Sequence, residues 1–250
     1  MKTVTAIITI YKRVDNLENQ IKSLLAQTHK IDKFIINVNL TERKREYTYI
    51  INKLIPDALI VEHSQNLWVW SRVFMWLNAN TDCIFIVDDD NTPWNKWIEN
   101  WMKVLEQEEC IIWSWWSIFH SLTTRRDRDI ISETTNRPNK LTPVNMSGHS
   151  WLFRKETLCK ILSELPADLE KYKVCGEELW ISWLPSKFWI KTYILPMTDD
   201  KETWGDKTPT LWHDKNAWFN LYWNNLYQEF YDYCVSIGYN PIEDYKKLNI

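Results

Sequence analysis

The sequence predicts an α/β fold, a mixed and mainly parallel sheet flanked by helices, in a single domain over residues 1–250 with an aromatic helical C-terminal tail. Three observations carry this expectation. Strand-then-helix units repeat through residues 1–110, polar clusters follow the strands, and the apolar run Ile84 to Val87 ends abruptly in Asp88-Asp89-Asp90. In such sheets ligands bind outside the carboxyl ends of the strands, which is where those clusters fall.

Residues 3–10 alternate apolar residues with Thr and read as the first strand. After the loop Tyr11-Lys12-Arg13, the residues Val14, Leu17, Ile21, Leu24 and Leu25 recur at helical spacing through 14–27, with Asp15 and Asn16 as start signals. Phe34 to Asn39 is a second strand, and so short a strand–helix–strand unit implies parallel pairing with a right-handed crossover. A polar helix over 41–54, a strand at Ala58–Val61 and a helix over 70–80 follow, then the strand ending at Asp88. After a helix at 95–107, Ile111-Ile112 opens a strand, and residues 121–145 read as a mobile polar loop with Arg125, Arg126, Arg128 and Arg137. Ser147 to Phe153 returns to the sheet, 155–164 is helical, and Val174 to Ile181 opens a helix with two acids in its first turn. Ile190 to Leu195 is the last strand, and Lys215 to Tyr233 an aromatic helical tail.

A chain of 250 residues buries roughly three quarters of its unfolded surface, enough for a large core. The formal charge of −3, with both signs interspersed, argues against a nucleic-acid partner held through phosphates. The 5 cysteines are odd in number and form no Cys-x-x-Cys pair, so neither a disulfide framework nor a zinc knuckle is expected. The β-branched N-terminus is no secretory h-region and no apolar run is long enough to span a membrane, which predicts a cytoplasmic location. One count is unusual: 4 Gly against 17 Trp, where average usage gives about 17 Gly. Several Trp stand where turns or close packing call for Gly, most clearly in Pro93-Trp94-Asn95 and Trp113-Ser114-Trp115-Trp116.

Three adjacent carboxylates repel one another unless a cation or donors gather them, so Asp88 to Asp90 predict a site for a hard divalent metal ion, with Asp90 and Asp88 as ligands. A solvated acidic turn is the competing reading. His213, in Leu211-Trp212-His213-Asp214, and His149 are further ligand candidates, though a lone His in an aromatic segment is commonly structural. Glu177 and Glu178 either favour a helix N-terminus electrostatically or supply a general base. Together the strand-end acids and a rim of Asn, Arg and Tyr suit a nucleoside diphosphate held through a cation.

The order of Ile8-Thr9-Ile10-Tyr11-Lys12-Arg13, Asn66 through Arg72, Asp88 to Pro93, Gly148-His149-Ser150-Trp151 and Gly176-Glu177-Glu178-Leu179-Trp180 resembles nucleotide-sugar glycosyltransferases of the GT-A fold, near family 2. The resemblance covers roughly residues 3–215. It implies a Rossmann-like GT-A sheet with a nucleotide-binding half at 1–110, an acceptor and catalytic half at 111–215 and a helical tail at 216–250. It further implies that Mn²⁺ or Mg²⁺ on Asp90, Asp88 and His213 bridges the diphosphate of a UDP-sugar or GDP-sugar donor. Tyr11, Arg13 and Asn39 would line the nucleoside pocket, with Arg72, Asp88 and Asp89 near the nucleotide. His149 and Trp151 would face the sugar or acceptor. Glu178, with Glu177 beside it, would be the general base of an inverting transfer to a glycan, lipid-linked or protein acceptor.

Two other functions fit parts of the pattern. A non-catalytic carbohydrate-binding or degenerate transferase module would use the many Trp, and a sugar nucleotidylyltransferase would share the sheet and acids. The latter requires a Gly-rich N-terminal loop that Tyr11-Lys12-Arg13 lacks. Where the resembling family has small residues, this chain has Trp68, Trp76, Trp94, Trp113, Trp115 and Trp116, so some are expected to stand for Gly in the natural protein. Trp70, Trp97, Trp151, Trp180 and Trp204 fit the pattern as they are.

Overall fold

The computed structural model describes residues 2–11, 13–39, 41–131, 136–208 and 225–248, without the side chains of 113, 115, 116, 147 and 248. Among the described residues nine strands form one sheet in the order β3-β2-β1-β4-β8-β5-β9-β7, with β6 paired to β5. Strands β1 (Val4–Ile10), β2 (Lys33–Val38), β3 (Leu59–Glu62) and β4 (Cys83–Val87) are mutually parallel, as their helical crossovers require. The sheet turns mixed beyond β4. There β8 (Met146–Arg154) runs antiparallel to both β4 and β5 (Cys110–Phe119), and β9 (Lys191–Ile194) runs parallel to β5.

Residue alternation along the central strands divides the core into two layers. On one face Ile8, Phe85 and Leu152 pack against α1 (Val14–Leu25), α2 (Lys44–Leu54) and α4 (Trp97–Gln107) through residues such as Ile21, Ile51 and Trp101. On the other, Ile7, Ile86 and Phe153 meet α5 (Lys155–Leu162), α6 (Glu177–Trp183) and α7 (Asn225–Ser236) through Leu158, Leu179 and Phe230. The remaining helices are α3 (Ser71–Phe74) and α8 (Pro241–Leu248). Among the described residues no helix is long and apolar enough to cross a membrane. All five cysteines are free.

Two expectations need correction. The helix expected over 70–80 is one α turn, Ser71–Phe74, continued as a 3₁₀ turn over Met75–Asn78. The segment 121–145 is not simply a mobile loop: Arg128–Ile131 forms β6 on β5 and Thr142–Pro143 forms β7 on β9. Side chains fasten that segment as well, since Asn145 Oδ1 accepts from Phe119 N at 2.9 Å and Arg137 donates to the carbonyls of Met197 and Thr198. Its polar composition hid the pairing because both new strands are short and lie at margins of the sheet. The described part of the expected tail helix is Asn225–Ser236, and the expected residues before 225 lie outside the described residues.

Candidate active site

The turn after β4 is held from below by a polar stripe on α1. Asn16, Gln20 and Ser23 recur at helical spacing, with Gln27 just past the end of the helix, and all four are at most 8% exposed, on a face otherwise made of Val14, Leu17, Ile21 and Leu24. Their amides and hydroxyl satisfy carbonyls that the turn would otherwise bury unpaired. Gln20 Nε2 donates to Asp88 O at 2.5 Å and Asn91 O at 2.6 Å, Asn16 Nδ2 to Asp89 O at 3.2 Å, and Ser23 to Pro93 O. Sequence reading missed this stripe. The signal was present, as four hydrogen-bonding side chains in step with an apolar helical face.

The three acids then diverge. Asp88 is ion-paired to Arg72, whose Nη2 also lies 2.6 Å from Glu177 Oε1 and whose guanidinium stacks 4.6 Å from the Trp151 ring. Asp89 meets Arg13 Nη1 at 2.6 Å, and the same nitrogen is 3.5 Å from Asp90 Oδ2. Burial first, and the neighbouring Asp90 charge against the pull of Arg13, raise the Asp89 carboxyl above its ordinary value. Burial also acts against ionising Asp90, but His149, Arg13 and Arg72 outweigh it and hold that carboxyl below the usual range. His149 Nδ1 is 3.7 Å from Asp90 Oδ1. Asp88, Asp90 and His149 offer ligand atoms that all lie within 4.8 Å of one another.

These residues fit a divalent cation. Asp90 Oδ1 is buried with no hydrogen-bond partner among the described residues, a costly state that a bound cation relieves. Carboxylate oxygens with one imidazole suit Mn²⁺ or Mg²⁺. Five carboxylates, Asp88, Asp89, Asp90, Glu177 and Glu178, gather with the guanidinium groups of Arg13 and Arg72. His149 has φ 72, a left-handed conformation within β8 that suits an imidazole held for a purpose beyond pairing in the sheet.

Across the site, Gly176 (φ 89) precedes α6 and starts it so that the two acids separate. Glu177 is 3% exposed and bound by Arg72, whereas the Glu178 side chain is 26% exposed, 4.0 Å from Arg72 Nη2. The Glu178 carboxylate lies directly against Gly148, where an added Cβ would stand 2.8 Å from Oε1. Burial, then the like charge of Glu177, push Glu178 up to about 7 against the opposing pull of Arg72 and His149.

The other expected residues are placed as follows. Tyr11 and Arg13 lie at the carboxyl end of β1, Tyr11 half-buried. Asn39 lies after β2, 4% exposed, with Oδ1 accepting from Leu67 N at 2.7 Å and Nδ2 donating to Trp68 O at 3.2 Å, so its amide fixes the loop before α3. Trp151 departs from the expectation that it faces a sugar: it is 0% exposed in the core beneath Arg72 and supports that guanidinium. His213 lies outside the described residues.

The chain matches the sequence profile of Glycosyl transferase family 2 over residues 5–162, well over half its length. It belongs to glycosyl transferase family 2. The family-2 region runs from β1 through α5 and contains Asp88 to Asp90 and His149, while Glu177 and Glu178 follow it. Among solved structures, the crystal structure of S. aureus TarS is similar with a TM-score of 0.53 at 10% identity, over 78% of this chain and 35% of that one. That likeness is one of fold, the GT-A fold, and this chain spans little more than a third of the TarS chain. No curated protein sequence matches the chain.

Proposed function

We propose that the protein is a metal-dependent glycosyltransferase that moves a sugar from a nucleoside diphosphate to an acceptor hydroxyl, inverting the anomeric carbon with Glu178 as general base. The observation that carries this reading is the gathering of ligand atoms from Asp88, Asp90 and His149, with Asp90 Oδ1 buried and making no hydrogen bond among the described residues and His149 next to the glycine on which Glu178 rests. Family membership supplies the reaction class.

Asp90 and Asp88 would hold Mn²⁺ or Mg²⁺, with His149 beside them and His213 a further candidate. When bound, the cation would neutralise the diphosphate and stabilise it as a leaving group. Tyr11, Arg13 and Asn39 belong to the strand ends that would receive the nucleoside of a UDP-sugar or GDP-sugar. Arg72 ion-pairs with both Asp88 and Glu177 and holds them in place, leaving Glu178 as the more exposed of the two helix-start acids. A carboxyl group raised toward neutrality is basic enough to accept a proton, and a substantial fraction of it is ionised at neutral pH. The acceptor oxygen bonds to the anomeric carbon as its proton passes to Glu178, and the bond from that carbon to the diphosphate oxygen breaks with the electron pair leaving on phosphate.

Thermal unfolding with a panel of nucleotide sugars and Mn²⁺ tests the reading, because a ligand that binds only the folded state raises its apparent stability. At least one UDP- or GDP-sugar is expected to raise Tm only when Mn²⁺ is present. A panel in which no donor shifts Tm would count against a nucleotide-sugar site.

A further inference from the structure

The α1 stripe donates to the carbonyl side of the acid turn; the turn's N–H side is held from the opposite direction by one carboxylate. Asp206 Oδ2 accepts from Thr92 N at 2.8 Å and from Asn91 Nδ2 at 3.1 Å, while Oδ1 accepts from Thr208 N at 2.5 Å. The backbone reinforces the link through the Pro93–Asp206 bridge, Lys207 N to Thr92 O at 2.9 Å and Trp94 N to Gly205 O at 3.2 Å. Asn91, fully buried, carries the connection on to β8, where its Oδ1 accepts from Ser150 Oγ beside His149.

Asp206 lies 116 positions from Asp90 in sequence and neither the acidic motif nor the family-2 region includes it. A carboxylate that binds a backbone N–H and a side-chain amide of one turn fixes the turn's conformation more tightly than a neutral acceptor does. From these contacts we propose that Asp206 is a positioning residue for the metal-binding turn, fixing Asp90 against His149 from outside the motif. The proposal rests on the metal-dependent reading above. It assigns the segment 204–208 a role in the site rather than in the sheet.

The test is Mn²⁺ binding to the full-length protein without donor or acceptor, read by electron paramagnetic resonance, alongside thermal unfolding. Asp206→Asn is expected to weaken Mn²⁺ about 10–100-fold, the usual cost of losing a partner that orients a ligand. Thr208→Val, which removes the hydroxyl that donates to Thr92 Oγ1 at 2.8 Å and leaves the carboxylate in place, is expected to weaken it by a smaller factor and serves if Asp206→Asn does not fold. Wild-type affinity in a folded Asp206→Asn, with binding lost in Asp90→Ala, overturns the role of Asp206 alone. With Asp206→Asn unfolded, wild-type affinity in Thr208→Val overturns it likewise. No Mn²⁺ binding by the wild type overturns the metal-dependent reading and this proposal together.

A second inference stands on the backbone. Among the described residues four non-glycine positions have positive φ: Asn136 at 51°, His149 at 72°, Trp68 at 56° and Trp189 at 61°. Asn tolerates this region and His149 belongs to the site, but a bulky Trp is a steric outlier there. Trp189 is also 75% exposed, so no packing repays the conformation. Trp76, one of the positions where Gly is expected, buries its indole nitrogen with no hydrogen-bond partner among the described residues, and the whole chain has 17 Trp beside 4 Gly. Trp94, expected at an altered turn, is not among the left-handed residues.

We infer that the polypeptide made in its own cell carries glycine at 68 and 189, the simplest source being a codon decoded there as glycine and written here as tryptophan. Intact mass and peptide mapping of the protein from that cell are expected to give glycine at both positions. Tryptophan at either position overturns the inference for that position. In protein made with Trp, Trp189→Gly is expected to raise Tm by about 2–4 °C, and an unchanged or lower Tm argues against strain there.

Discussion

Arg72 Nη2 stands 2.6 Å from Glu177 Oε1 while the same guanidinium ion-pairs with Asp88, so one side chain joins the turn after β4 to the start of α6. The two carboxylates come from segments that nothing in local sequence connects. Their shared cation explains how a buried acid at position 177 is tolerated, while Glu178, its neighbour, is the more exposed of the two.

Removing that cation strands Glu177 at 3% exposure. Arg72→Ala is expected to destabilise the fold by about 3–5 kcal/mol, the cost of an uncompensated buried charge. Arg72→Lys recovers only part, because an ammonium lacks the planar fork that reaches both acids. Urea unfolding of the two variants checks the order; equal stability of wild type and Arg72→Ala would show that the bridge is not structural.

Glu178→Gln keeps the shape of the side chain and removes its basicity. It is expected to lower kcat by about 10²–10⁴-fold with donor binding retained. A kcat within a factor of two of wild type would exclude Glu178 as the base.

The pH dependence follows from the same group. Burial and Glu177 raise the Glu178 carboxyl to about 7, so it is protonated and inactive as a base below that pH and ionised above it. Turnover is expected to rise with pH through about 7. Glu178→Gln is expected to lose that limb, and a rate profile centred near the ordinary carboxylate range of about 4 would contradict the shift.

Two glycines are steric necessities of the site. A Cβ at Gly148 would stand 2.8 Å from Glu178 Oε1, and one at Gly176 would stand 2.3 Å from Phe230 Cδ1 with φ at 89°. Gly176→Ala is expected to cost about 1–3 kcal/mol in stability from strain and overpacking. Gly148→Ala is expected to impair kcat more than stability, since the atom it displaces is the end of a side chain. Paired unfolding and kinetic measurements distinguish the two effects.

The parallel half of the fold was legible because its signals are local. Apolar runs alternating with helical periodicity located β1 to β4, and the abrupt change from Val87 to Asp88 marked the rim. The resemblance then pointed to Asp90, His149 and Glu178, which the structure brings into one neighbourhood. What stayed hidden depends on distant partners. Gln20 reads as an ordinary polar helix residue until the turn docks on it, Asp206 becomes a partner of Thr92 only through tertiary pairing, and Arg128 to Ile131 become a strand only because β5 offers an edge. Trp151 looked like a sugar-facing aromatic because sequence does not reveal which face of β8 is buried.

The central claim is that Asp90 serves a metal-dependent transfer from a nucleotide sugar. Release of nucleoside diphosphate from a panel of UDP- and GDP-sugars, with Mn²⁺ and with chelator, by wild type and Asp90→Ala, tests it most directly. The account predicts release by the wild type with Mn²⁺ and its loss with chelator or in Asp90→Ala. Release that survives both treatments, or sugar binding with no release from any donor, would contradict it.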